Sequence, residues 1–281
     1  MRIIAVRFIA MMMLAIASQA ALASPMDEES KEIFARLLSK HAASVVRVSF
    51  VMKSSYQGQE QSQESSTTGV VVDPRGLILV PRMAVEPTFP GMDKLSSEQK
   101  ASFKLESRDF RVRFDGEDTP MEAEALSSDP DLGIAWLRLK PAKSAEPSLP
   151  NEEAKANAVS KPAALAPPYP AIDLSNDAEA APGQAYYVIE RLEDRFGGAP
   201  IISWGVLVGE VNVPRKAHMA TGAIGLGFSA EGKVLGFVVA DLEGMNSDSS
   251  MSGQGGIRMT MASARRVASA TQRATSLLDA P

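Results

Sequence analysis

The chain has 281 residues, 45% of them hydrophobic, and a formal net charge of −5, which is enough apolar material for one two-lobed domain or two small ones. With an acidic balance and no Lys/Arg stripe on any segment, nucleic acid and anionic membrane surfaces are poor partners. There is no cysteine, so the fold must be held by its hydrophobic core without disulfides.

In chain order, Arg2 and Arg7 form a basic stretch, Phe8 to Ala17 an apolar one, and Ala21-Leu22-Ala23 a small-x-small cleavage signal, so residues 1–23 are predicted to be a secretory signal peptide. No later stretch approaches the roughly 20 apolar residues of a membrane-spanning helix. An exported protein is expected, in the periplasm first and fully secreted second. Residues 24–43 are read as one amphipathic helix, with Ile33, Phe34, Leu37 and Leu38 at helical spacing and Asp27 available as a cap. His41 near its end would favour the helix dipole.

A first strand cluster is predicted over residues 44–139. Val46, Val48 and Phe50 alternate with Arg47 and Ser49, a half-buried strand. Gln57 to Thr68 is polar and reads as a hairpin loop, and Gly69 to Leu79 as strand, turn, strand around Asp73-Pro74-Arg75-Gly76. Phe110 to Phe114, Met121 to Leu126 and the apolar run Leu132 to Leu139 complete six short strands. Residues 140–180 are a predicted linker, rich in Pro and Ala and passing over the surface. Residues 181–281 hold a second cluster: Ala185 to Glu190, Ile201 to Val211, Met219 to Phe228, Lys233 to Ala240 and Gly256 to Met261. Ser263 then caps a helix with Val267, Ala270, Ala274 and Leu277 on one face. The fold class expected is all-β, two similar barrels with a helix at either end.

Four stretches, in order, resemble the HtrA/Deg family of trypsin-like serine proteases: Ser44-Val45-Val46-Arg47-Val48, Gly69 to Val85, Asp129-Pro130-Asp131-Leu132-Gly133-Ile134, and Thr221 through Glu231-Gly232-Lys233 to Met261 and its helix. The resemblance implies two six-stranded barrels with the active site in the crevice between them. It also implies where a catalytic triad would sit. Counting from Asp73-Pro74-Arg75-Gly76, the family's histidine falls on Met83; its aspartate falls on Asp131; and its Gly-Asn-Ser-Gly-Gly motif falls on Thr221-Gly222-Ala223-Ile224-Gly225, with Ala223 in place of the nucleophile. A thioether has no basic nitrogen and a methyl group no oxygen, so proton transfer and attack both lack their groups. Asp131, with no base to orient, reads as a polar residue capping a strand near the surface. Thr221, Gly222 and Ala223 are the oxyanion-equivalent positions, and the family's first glycine is Thr221 here.

His218 reads as an exposed loop histidine bordering the same crevice, and Ser229 as a turn residue, since Glu231 stands where a nucleophile elbow needs glycine. Gly222 to Gly227 lacks the spacing of a dinucleotide fingerprint, and two isolated histidines make no metal cluster; neither cofactor nor metal is expected. Met259 and Met261 read as core, Met245 and Met251 as loop composition. The function expected is a non-catalytic homologue, a pseudoprotease that binds protein or peptide segments or regulates a partner, with Val238, Val239 and Ala240 as the strand edge that receives a peptide. The alternative is an active serine hydrolase with a relocated nucleophile, such as Ser229 with Lys216 or Lys233 as base.

Overall fold

The computed structural model describes residues 28–56, 59–88, 96, 103–117, 119–141, 166–213, 215–241 and 258–279. The predicted signal peptide, the Asp27 cap, most of the predicted linker, and Met245 and Met251 lie outside them. Among the described residues, twelve strands follow helix α1 (Glu28–His41): β1 (Val45–Tyr56), β2 (Gln59–Asp73), β3 (Leu77–Pro81), β4 (Phe103–Arg113), β5 (Met121–Asp129), β6 (Ile134–Leu139), β7 (Ala185–Arg191), β8 (Pro200–Val211), β9 (Ala217–Thr221), β10 (Gly225–Phe228), β11 (Val234–Asp241) and β12 (Arg258–Ser263), with helix α2 (Ala264–Ser276) after them.

These strands close into two antiparallel barrels. In the first the neighbours run β1-β2-β3-β6-β5-β4 and in the second β10-β11-β12-β9-β8-β7. Adding six to each strand number of the first ring reproduces the neighbours of the second. The two lobes therefore share one pairing scheme, although their sequences show no repeat. Among the described residues, closure gives every strand a neighbour on both sides along at least part of its length, and the residues that alternate inward fill each interior. Val46, Val48, Val71, Ile78, Val112 and Leu137 pack in the first barrel, and Tyr186, Val188, Leu207, Leu235, Val238 and Met261 in the second. Each such burial contributes on the order of 1.5–3 kcal/mol.

Several expectations are corrected. Gln59 to Thr68 is strand, not loop: β2 pairs with β1 from Val45↔Val70 out to Tyr56↔Gln59. Its side chains are polar because this end of the ribbon is largely exposed, and ladder hydrogen bonds need no apolar alternation. The expected strand over Met219 to Phe228 is two strands, β9 and β10, because Gly222 takes φ +104° and turns the chain between them. A Cβ there would come within 2.5 Å of the Trp204 carbonyl oxygen, so only glycine fits the approach. β6 begins at Ile134 rather than Leu132 because Asp129 accepts from the Leu132 amide and closes a turn first.

The C-terminal part of the expected linker is packed down. Tyr169 stacks on Phe114, the Tyr169 and Ile172 amides donate to the carbonyls of Pro74 and Val71, and the Ala178 amide to that of Val234. This stretch thus runs from one barrel to the other, hydrogen-bonded through its backbone to both. Ser263 occupies the N-cap position of α2, yet its hydroxyl makes no capping bond. Val267, Ala270 and Ala274 are buried as expected, but Leu277 is exposed and Thr271 is buried instead. The Thr271 hydroxyl accepts from the Trp136 indole N–H at 3.1 Å, which fastens α2 to β6.

Candidate functional site

A cavity of about 770 Å³ lies between the barrels. The first barrel supplies a one-turn 3₁₀ helix, Arg82–Ala84, that leaves β3, and the turn Pro130–Gly133. Ala84 is buried and anchors the helix, the Arg82 amide donates to the Gly133 carbonyl at 2.9 Å, and the Arg82 guanidinium holds Glu86 at 2.7 Å. Glu86 also accepts from the Ser128 hydroxyl. The result presents Met83, 40% exposed, to the crevice.

Gly133 makes the barrels meet. Its φ of +67° suits glycine, and a Cβ there would stand 3.1 Å from a Val239 methyl on β11. Val239 and Ala240 line the opposite wall with Val211, Val213, Met219 and Ile224. Val238 does not face the crevice; its side chain is in the second barrel's core.

Of the positions that the resemblance singles out, Met83 and Asp131 line this cavity together and Ala223 does not. The Ala223 methyl packs inside the second barrel, while its neighbour Ile224 reaches the crevice. Buried Tyr186 places its hydroxyl 2.7 Å from the Ala223 carbonyl oxygen and 3.0 Å from that of Thr221, so one phenolic proton tethers both ends of this turn. Burial pushes that phenol up to about 12.

Asp131 is not a strand cap. The capping carboxylate is Asp129, and Asp131 pairs with Arg215 at 2.6 Å. The Arg215 guanidinium, by hydrogen bond and then charge, holds the Asp131 carboxyl below the usual carboxylate range. Arg266, in the first turn of α2, also lines the cavity and adds to this field. Sequence reading missed both arginines. Arg215 lies between β8 and β9 and Arg266 sits on α2, so neither belongs to a motif; only the topology brings them to one place.

His218 corrects the expectation of an exposed loop residue. It is buried on β9 and lines a smaller cavity of about 230 Å³, which Ala217 also borders, while its neighbour Met219 faces the crevice. The alternation of a strand explains this. His41 is likewise buried, stacked 4.5 Å from the Phe228 ring and with its Nε2 3.0 Å from the Gly232 carbonyl oxygen. Burial lowers its pKa, which disfavours the charged form that a dipole role requires. Ser229 is in the β10–β11 turn, buried, its hydroxyl oxygen accepting from the amides of Glu231 and Lys233. Lys216 is paired with Glu210 at 3.1 Å. Among the described residues the crevice lining holds no histidine, lysine, serine or cysteine; its hydroxyls are those of Thr88 and Thr260.

No protein-family model matches the chain, and no curated protein does. Among solved structures it is similar to the MamO protease domain from Magnetospirillum magneticum in its apo form, at 11% identity and a TM-score of 0.48, over 83% of this chain and 98% of that one. It is similar also to the HtrA-type protease AlgW with decapeptide, at 14% identity and a TM-score of 0.46, over 88% of this chain and 67% of that one. The two closed rings of six strands, sharing one pairing scheme and followed by a helix, make this a trypsin-like double barrel, the architecture implied by the HtrA/Deg resemblance.

Proposed function

We propose that the chain is a non-catalytic relative of the trypsin-like proteases, exported to the bacterial envelope, that holds an extended protein segment in the crevice between its barrels. The observation that carries this reading is the chemistry of the lining. A hydroxyl nucleophile needs a base within hydrogen-bond reach, and the lining residues include neither imidazole nor amine, while the carboxylates of Glu86 and Asp131 are engaged by Arg82 and Arg215. The Ala223 methyl faces the barrel core, so even the position of the attacking group is withdrawn from the crevice.

Binding is supported by β11. Its pairing with β10 ends at Gly225↔Val238, whereas its pairing with β12 continues through Val239↔Thr260 and Ala240↔Met259. Among the described residues, the β10 side of Val239 and Ala240 is thus left without a ladder partner, beside an apolar cavity. A peptide laid there as an added strand would gain main-chain hydrogen bonds and place alternate side chains against Met83, Met219 and Ile224. Binding of a labelled peptide library by fluorescence polarisation, abolished by Ala240→Pro in a variant whose melting curve stays cooperative, is the expected result. Labelling of the purified protein by a fluorophosphonate, lost on substituting one serine, would replace this reading with a hydrolase.

A further inference from the structure

Resting on that reading, we infer that the segment held in the crevice carries a carboxylate, bound by Arg215 and Arg266, and that Asp131 is a built-in competitor for the same two guanidinium groups. The cavity is apolar over most of its wall, yet three arginines line it against two carboxylates. Arg82 is matched by Glu86, which Ser128 also holds. Arg215 is matched by Asp131. Arg266 has no carboxylate within ion-pair distance among the described residues; its guanidinium donates to the Lys216 carbonyl at 3.1 Å. The nearby Asp129 is already engaged by the Leu132 amide and by Arg273 at 3.3 Å. One negative charge is therefore wanting, on the side of the crevice where the second barrel meets α2.

The Asp131–Arg215 pair is open to exchange. The Asp131 side chain is 68% exposed and that of Arg215 36%, and pairs with this exposure contribute little net stability. A ligand carboxylate entering beside Met83 and Ile224 would keep Arg215 paired through its planar fork, gain Arg266 as a second donor, and release Asp131 to water. Arginine rather than lysine at both positions suits a carboxylate that must be gripped at an apolar wall. Asp131 would then set a threshold: only ligands that offer their own carboxylate displace it.

The test uses three hexapeptide pools randomised over Ala, Val, Leu, Ile and Met and labelled with an uncharged boron-dipyrromethene dye that carries no carboxylate. The first has a free C-terminal carboxylate, the second a C-terminal amide, and the third an amide with one internal Glu. By fluorescence polarisation the first or third pool is expected to bind about tenfold tighter than the second, and the member that does so tells a terminal from a side-chain carboxylate. Asp131→Asn, which alters an exposed side chain and leaves the core alone, should tighten the carboxylate pools and leave the amide pool unmoved. Arg215→Gln and Arg266→Gln should each shrink the preference. Equal binding of all three pools, or no tightening in Asp131→Asn, overturns the inference while the crevice remains a peptide site. Binding by none of the pools, with the protein folded, removes the peptide-site reading and this inference with it.

Discussion

Arg191, the last residue of β7, ties the second barrel to the first, and its removal is the sharpest test of how the two lobes are held. Its side chain is only 2% exposed. The guanidinium donates through Nε to the Val45 carbonyl at 2.9 Å, through Nη2 to that of Ala42 at 2.6 Å, and through Nη1 to that of Gly198 at 3.2 Å. Nη1 also meets the half-exposed Asp115 carboxylate at 2.9 Å. Arg191→Met keeps much of the volume but strands three backbone acceptors, two of them at the start of the first barrel. A buried polar group left without a partner costs about 1–3 kcal/mol. The released desolvation of the cation offsets part of that sum, leaving a loss of about 3–5 kcal/mol.

For a unit of this size such a loss lowers the melting temperature by roughly 10 °C. Urea denaturation of the two proteins side by side measures it, with the m-value checking that two-state behaviour is kept. Arg191→Lys should lose nearly as much, because one ammonium cannot reach carbonyls that a fork bridges. Asp115→Asn is the discriminating control. If the carbonyl network is what matters, removing the half-exposed partner costs less than about 1 kcal/mol. Equal losses in Asp115→Asn and Arg191→Met, or a loss under about 1 kcal/mol in Arg191→Met, would refute the reasoning.

Three further outcomes are expected. His41 has its folded pKa below the ordinary 6.5, so the folded state binds fewer protons than the unfolded one; its contribution is complete above 6.5 and falls as the pH drops beneath it. Melting temperatures between pH 7.5 and 5 should decline in the parent protein and decline less in His41→Phe, which keeps the ring stacked on Phe228. Gly133→Ala should destabilise by about 1–2 kcal/mol from its left-handed backbone, and should also weaken peptide binding, since the added methyl presses on Val239. Rebuilding the two absent groups as Met83→His with Ala223→Ser should give no peptide hydrolysis above the parent, because the new hydroxyl enters the second barrel's core; turnover of a peptide substrate that rises with both changes would show that the side chain at 223 reaches the crevice after all.

The strand content was legible wherever one face of a strand is buried. Val46, Val48 and Phe50 are inward with Arg47 and Ser49 turned out, and period-two patterning reports that directly. It fails for Gln59 to Thr68, whose strand is held by ladder bonds to β1 with little of the strand buried. It fails again at Gly222 and Gly225, because a tight turn made of two positive-φ glycines between apolar residues looks, in the sequence, like a continuous run. Barrel closure was implied by the count of strands and by the resemblance, not by any local signal, since pairing such as β3 with β6 joins residues far apart in the chain.

The site was legible in part, and the division has a physical cause. Met83 and Asp131 could be placed because each lies a fixed number of residues from a turn whose chemistry is visible, Asp73-Pro74-Arg75-Gly76 in one case and Asp129-Pro130 in the other. Arg215 and Arg266 could not, since they reach the crevice from between β8 and β9 and from α2, and only the folded topology brings them to one place. What they do there bears on why Asp131 keeps its carboxylate. Facing the crevice from the first barrel, an aspartate with no imidazole to orient still meets a guanidinium from the second, and exchanging that contact for a ligand's carboxylate requires no proton transfer. On the reading we propose, the crevice recognises charge without proton transfer, with Asp131 opposing weak ligands instead of supporting a base.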